Sequence, residues 1–149
     1  MPGSWPAGSL PNLPDDAYVV TSPFDTKYNC IAFAAGDQSN WWWPTDDDYW
    51  PDNIPRELTV DAFIRAYGTR GYVRCDDGSL EDGFEKVALY AKALFPGAPL
   101  TPTHAAKQLP DGRWASKLGK YEDIAHMAAE AVHCPSYGTV LCYLKKPKD

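Results

Sequence analysis

Residues 103–118 constrain the fold of this chain more than any other stretch. Residues 103–109 alternate as a strand, Pro110-Asp111-Gly112 supplies the residue types that tight turns favour, and residues 113–118 alternate again. The segment therefore predicts an antiparallel hairpin. Because side chains along a strand point to opposite faces in turn, His104, Ala106 and Gln108 share one face, and Ser116 comes near it from the neighbouring strand. Imidazole is the side chain whose ordinary titration falls near neutral pH, so His104 is a candidate proton carrier.

A proton carrier needs a nucleophile to serve, and the best candidate lies far upstream. Residues 28–37, Tyr-Asn-Cys-Ile-Ala-Phe-Ala-Ala-Gly-Asp, read as a short apolar helix with Cys30 in its first turn. Ile31, Ala34 and Ala35 fall on one face, and the alanines permit close packing, so the helix is expected at the centre of the domain. Asp25 or Thr26 is placed to cap it. Free N–H groups and the positive dipole end at a helix start favour an anion, which is expected to lower the Cys30 thiol pKa. Asn29, just before it, is a candidate donor to an oxyanion. Cys75 and Cys134 lie beside turn signals and Cys142 lies in the apolar run 139–144, so these three read as structural. No cysteine spacing marks a zinc site, and neither metal nor cofactor is expected.

Between helix and hairpin lies Trp41-Trp42-Trp43-Pro44, followed by Asp46-Asp47-Asp48-Tyr49-Trp50-Pro51. Trp41, Trp42 and Trp43 are substrate-binding candidates as an aromatic wall, with the aspartates recognising a basic or amide-rich ligand. The alternative is that the tryptophans close over the core and the aspartates form a solvated turn. Thr59 is placed to cap a helix through Thr69, in which Val60, Phe63, Ile64 and Tyr67 follow helical spacing. Residues 72–75, 84–91 and 139–144 read as strands, and Tyr18-Val19-Val20 as a short strand on the domain edge. Helical spacing at Ile124, Met127, Ala128 and Ala131 predicts a third helix, with His126 on its polar face; His133 is expected to face solvent.

At 149 residues the chain fits one domain: an extended arm over 1–23, with five prolines and two glycines, a body over 24–145 and a solvated basic tail from 146. Fourteen Lys and Arg against 20 Asp and Glu leave a net charge of −6, without a basic run, so nucleic acid and anionic membrane are not expected partners. No stretch reaches the roughly 18 apolar residues of a membrane span, and the opening residues lack a signal-peptide pattern. The expected location is cytoplasmic, with non-classical secretion left open.

Cysteine at the start of a central helix, then histidine opening a strand, then a polar residue on the next strand resembles the papain-like cysteine hydrolase fold in its minimal bacterial form. The resemblance implies an α+β fold in which an N-terminal helix bearing Cys30 packs on a small antiparallel sheet. It makes Cys30 the nucleophile, His104 the general base and acid, and Ser116 the orienting residue, a place where that family carries Asn, Asp, Gln or His. Gln108, Asp111 and His126 are alternatives for that place, and Lys117, beside Ser116, joins Asn29 and Trp41–Trp43 among the oxyanion and substrate-binding candidates. Residues 28–34, 41–44 and 103–119 also resemble an uncharacterised bacterial domain family of about this size, which brings no activity with it. The implied chemistry is thiol attack on a protein or peptide amide, ending in hydrolysis, deamidation or acyl transfer. The competing class is a catalytically inactive papain-like module that holds a protein partner through the Trp/Asp-rich loop.

Overall fold

The computed structural model describes residues 18–22, 26–118, 123–134 and 137–148. The hairpin forms where its turn chemistry places it: β4 (Leu100–Gln108) and β5 (Trp114–Lys117) pair antiparallel with Ala106 opposite Ser116. Gly112 takes a φ of 92° in the turn, and the Asp111 carboxylate accepts from the Arg113 backbone and guanidinium at 3.0 and 2.9 Å. Around this hairpin the chain adds β1 (Tyr18–Ser22), β2 (Val73–Cys75), β3 (Phe84–Ala93), β6 (Asp123–His126) and β7 (Thr139–Pro147). Together they form one seven-stranded sheet in the order β1-β6-β5-β4-β3-β7-β2, with every pairing antiparallel.

This corrects the expected α+β papain-like architecture. The sheet dominates, and the α-helices among the described residues are α1 (Cys30–Ala34, five residues) and α2 (Val60–Gly68, nine residues). The main departure is at 123–126, expected as the start of a helix. There Asp-Ile-Ala-His runs as a strand because β1 and β5 flank it and satisfy its backbone on both edges. The helix-like spacing that continues through Ala131 belongs to a 3-10 turn (Ala129–Val132), and Met127 between the two elements is 73% exposed. The expected basic tail is likewise strand: Lys145 and Lys146 pair with β3, and the Lys145 ammonium meets Glu81 at 2.8 Å.

Each face of the sheet carries its own apolar cluster. On one face α1, α2 and the Trp-rich loop cover Val87, Leu89, Ala105, Ala115 and Leu144. On the other, Tyr90, Ala106, Trp114 and Ile124 are covered by Ala129, Val132 and Leu118. The acidic loop 76–83 crosses this second face. Lys86, 2% exposed, anchors it by donating to the Asp77 carbonyl at 3.0 Å and pairing with Asp77 and Glu81 at 3.4 Å. Gly78 is there because a Cβ would stand 2.6 Å from the Tyr143 ring.

Two glycines separate backbone from packing effects. Gly83 (φ 81°) faces open space, whereas a Cβ on Gly138 (φ 74°) would run into the Ala91 carbonyl. Gly83→Ala is expected to cost about 1–2 kcal/mol, the left-handed penalty alone. Gly138→Ala adds about 1–3 kcal/mol of overpacking. Chemical denaturation of both variants checks the order; equal losses would show that the Gly138 contact relaxes freely.

Candidate functional site

The residues singled out by sequence divide between the two faces of the sheet. Asn29, not Asp25 or Thr26, caps α1, and Asp25 lies outside the described residues. Asn29 Oδ1 accepts from the Ala32 and Trp42 backbone N–H groups at 3.1 Å, and its Nδ2 donates to the Trp42 carbonyl at 2.7 Å. Its amide is committed to holding the Trp-rich loop rather than to an oxyanion. Cys30 follows in the first turn, packed over Ala105 and 6% exposed. Burial pushes its thiol up to about 11, against smaller opposing contributions from backbone N–H groups and Lys117. The expected lowering by the helix start fails because that argument assumes a wet, open first turn. Lys117 is fully buried on the same face, 5.1 Å from the Tyr28 ring centre and directly across from Asp123. Tyr28 donates to the Asp123 carboxylate at 2.6 Å.

Strand alternation sends His104 the other way. Ala105 and Lys107 face α1, with the Lys107 ammonium 4.7 Å from the Phe33 ring centre, while His104 and Ala106 face the second cluster. There His104 Nε2 lies 3.1 Å from Ser116 Oγ, as the hairpin register implies. Ser116 Oγ lies 2.8 Å from His126 Nε2, and His126 Nδ1 lies 2.8 Å from the Ala128 carbonyl. A carbonyl only accepts, so His126 carries its proton on Nδ1 and accepts at Nε2. The relay therefore runs from His104 Nε2–H to Ser116, from the Ser116 hydroxyl to His126, and from His126 Nδ1–H to Ala128. His104 Nδ1 is left as a buried acceptor without a hydrogen-bond partner. Its ring stacks on Tyr137 at 4.0 Å and meets the edge of Tyr90 at 4.9 Å. Burial, followed by the His126 ring, pulls His104 from 6.5 to about 3. Burial also lowers His126, partly offset by its bond to Ala128.

The structure thus joins His104 to Ser116 and places Lys117 near Cys30, but Cys30 and His104 stand on opposite faces with the sheet between them. His126, expected on a helix surface, is 1% exposed and completes the relay. The alternation of Ile124 and His126 across two positions was the available signal. His133 is half-buried rather than solvated, and its Nε2 accepts from the Val140 backbone at 3.1 Å.

In the Trp-rich loop the rings of Trp42, Trp43 and Trp50 turn inward. Trp42 is fully buried and donates to Asp37 at 2.8 Å; Trp50 is buried and donates to the Pro55 carbonyl at 2.9 Å; Trp43 packs edge-on to Phe63; Trp41 is half-buried. Asp37 was not anticipated. Burial pushes its carboxyl up, and bonds from Trp42, Ser39 and Asn40 more than offset that, leaving it below its ordinary value. Asp46 and Asp47 are exposed at the loop apex. A separate cleft of about 400 Å³, bordered by Arg74, Asp76, Glu130 and His133, is lined by neither Cys30 nor His104. Among the described residues no group of three or more His, Cys, Asp and Glu is placed to hold a metal ion, and no helix is long and apolar enough to cross a membrane.

Among known proteins, the sequence model of a family described as "Domain of unknown function (DUF7689)" matches residues 19–145. No curated protein and no solved structure matches, so the papain-like resemblance gains no support from these comparisons.

The burial of Cys30 has a direct chemical consequence. In native protein near pH 7.5, iodoacetamide is expected to modify half-buried Cys75 and Cys134 at least tenfold faster than Cys30, whose thiolate fraction is suppressed. Peptide mapping by mass spectrometry reads the order, and fast labelling of Cys30 would show that its cover opens readily.

Proposed function

We propose that this chain, which belongs to that domain family of unknown function, is a non-catalytic binding module that holds a basic segment of a partner protein at the acidic apex of its Trp-rich loop. The observation that carries this reading is the loop's construction. Its rings serve as internal anchors, and a backbone bridge joins Trp42 to Tyr49, with Trp43 N–H donating to the Tyr49 carbonyl at 3.1 Å. The Arg56 guanidinium clamps the apex from beneath by donating to the Thr45 and Asp48 carbonyls. A preformed apex binds without the entropic cost of ordering a loop.

Charge supports the same reading. Asp52 and Glu57, the latter next to Arg56 in sequence, are also exposed, in a chain whose net charge is −6. Such a surface steers basic partners by long-range attraction. Thiol-dependent amide chemistry finds less support: it needs Cys30 and an imidazole on one side of the sheet, and the imidazole nearest in role is on the other.

Calorimetric titration with a lysine- and arginine-rich peptide tests the proposal. Asp46→Asn and Asp47→Asn are each expected to weaken binding by about 0.2–1 kcal/mol at low salt. The difference should vanish near 1 M salt, where the Debye length falls to about 3 Å. Trp42→Ala is expected to destabilise the fold by about 3–5 kcal/mol, as a core truncation does. Unchanged affinity of both aspartate variants at low salt would refute the site, and amide turnover abolished by Cys30→Ala would refute the non-catalytic reading.

A further inference from the structure

The His104–Ser116–His126 relay lies outside the proposed binding surface and joins four parts of the second face. His104 comes from β4, Ser116 from β5 and His126 from β6, and the relay ends on the carbonyl of Ala128, which opens the Ala129–Val132 turn. Tyr90 of β3 donates to the Ala129 carbonyl, and Thr103 of β4 donates to the Tyr137 carbonyl. The turn and Tyr137 thus cover the relay and are tied to it.

We propose that this relay is an acid-operated latch: neutral imidazoles hold the Ala129–Val132 turn and Tyr137 against the sheet, and protonation releases that cover while the α1 face stays folded. The wiring sets the direction. A second proton on His104 can only go to Nδ1, which has no hydrogen-bond partner. A second proton on His126 goes to Nε2, the atom that accepts from Ser116, and leaves the serine hydroxyl hydrogen without that acceptor. The groups at the rings are Tyr18 from β1 and Trp114 from β5, each opposite His126 in register, Tyr90 from β3, Ser116 from β5, Tyr137 from the cover and each other, with His133 6.0 Å from the Tyr90 ring. The Tyr137 face attracts a cation weakly, but Glu130, the acidic residue of the turn, is bonded to Tyr143 at 3.3 Å. Among the described residues no carboxylate contact to either ring compensates the charge.

Opening returns His104 from about 3 to the ordinary 6.5, so between those values the open form binds more protons. The latch is therefore fully closed above about pH 6.5 and weakens as pH falls toward 3. Asp37, Asp77, Glu81 and Asp111 have carboxyls held below their ordinary values, so they stay ionised through the upper part of this window.

Hydrogen–deuterium exchange of the full chain at pH 7.5 and 5.0, corrected for intrinsic exchange, reads the latch. The opening constant for amides in 127–134 and 137–140 is expected to rise about thirtyfold from His104 alone, while α1 and α2 keep their protection. His104→Phe preserves the stacking on Tyr137, removes the titrating nitrogen and is expected to abolish most of that rise. Equal loss of protection in α1, α2 and the cover would overturn the proposal, as would an unchanged cover or a full response in His104→Phe. The wild-type comparison decides by itself if the variant does not fold.

Discussion

Ala105 and Ala115 form the seat on which α1 rests, and the states of Cys30 and its neighbours depend on that contact. A helix of five residues contributes little stability of its own, so tertiary packing must hold it. The seat works because both strands present small side chains to the buried helix, and Cys30 packs beside the Ala105 backbone. Close approach then excludes water from the first turn, and the Cys30 thiol becomes a packed group instead of an activated one. The same strand that supplies Ala105 carries His104 one residue earlier, which the pleat sends to the far side.

Buried polar groups are numerous for a sheet of this size, and each described one is tied to a tertiary task. Asn29 and Asp37 hold the Trp-rich loop to α1; Lys86 holds the acidic loop to the second face; Tyr28, Lys117 and Asp123 lie together beside the start of α1. The His–Ser–His relay couples three strands to their cover. Burying such groups is tolerable only where partners replace water, so their bonds specify which segments meet. Removing one partner strands the other, which is why these contacts define the fold more sharply than their net stabilising effect implies.

This arrangement separates two surfaces with different physics. The Trp-anchored loop is stiffened by apolar burial, which is nearly indifferent to pH, and its exposed aspartates respond to salt. The opposite face is closed by hydrogen bonds among neutral imidazoles and responds to protons. On the proposed reading, one face stays constant while the other answers its environment.

Several elements were legible because local signals agreed. Pro110-Asp111-Gly112 between alternating runs yields the β4–β5 hairpin, Thr59 accepts from Ala62 N–H as the cap of α2, and Tyr18-Val19-Val20 forms an edge strand. The hairpin register also placed Ser116 beside His104. The antiparallel sheet that replaces the expected papain-like architecture and the burial of His126 were not legible, because residues 123–126 have no decisive local preference and become a strand through pairing with β1 and β5. The state of Cys30 was hidden for a related reason: a helix start favours a thiolate only when wet, and dryness depends on Ala105, 75 residues away. Sequence by itself determined the hairpin turn, the Thr59 cap of α2 and the alternation of the hairpin strands, which act between near neighbours. Tertiary structure alone decided which face each strand buried, because that is set by what packs against it from distant parts of the chain.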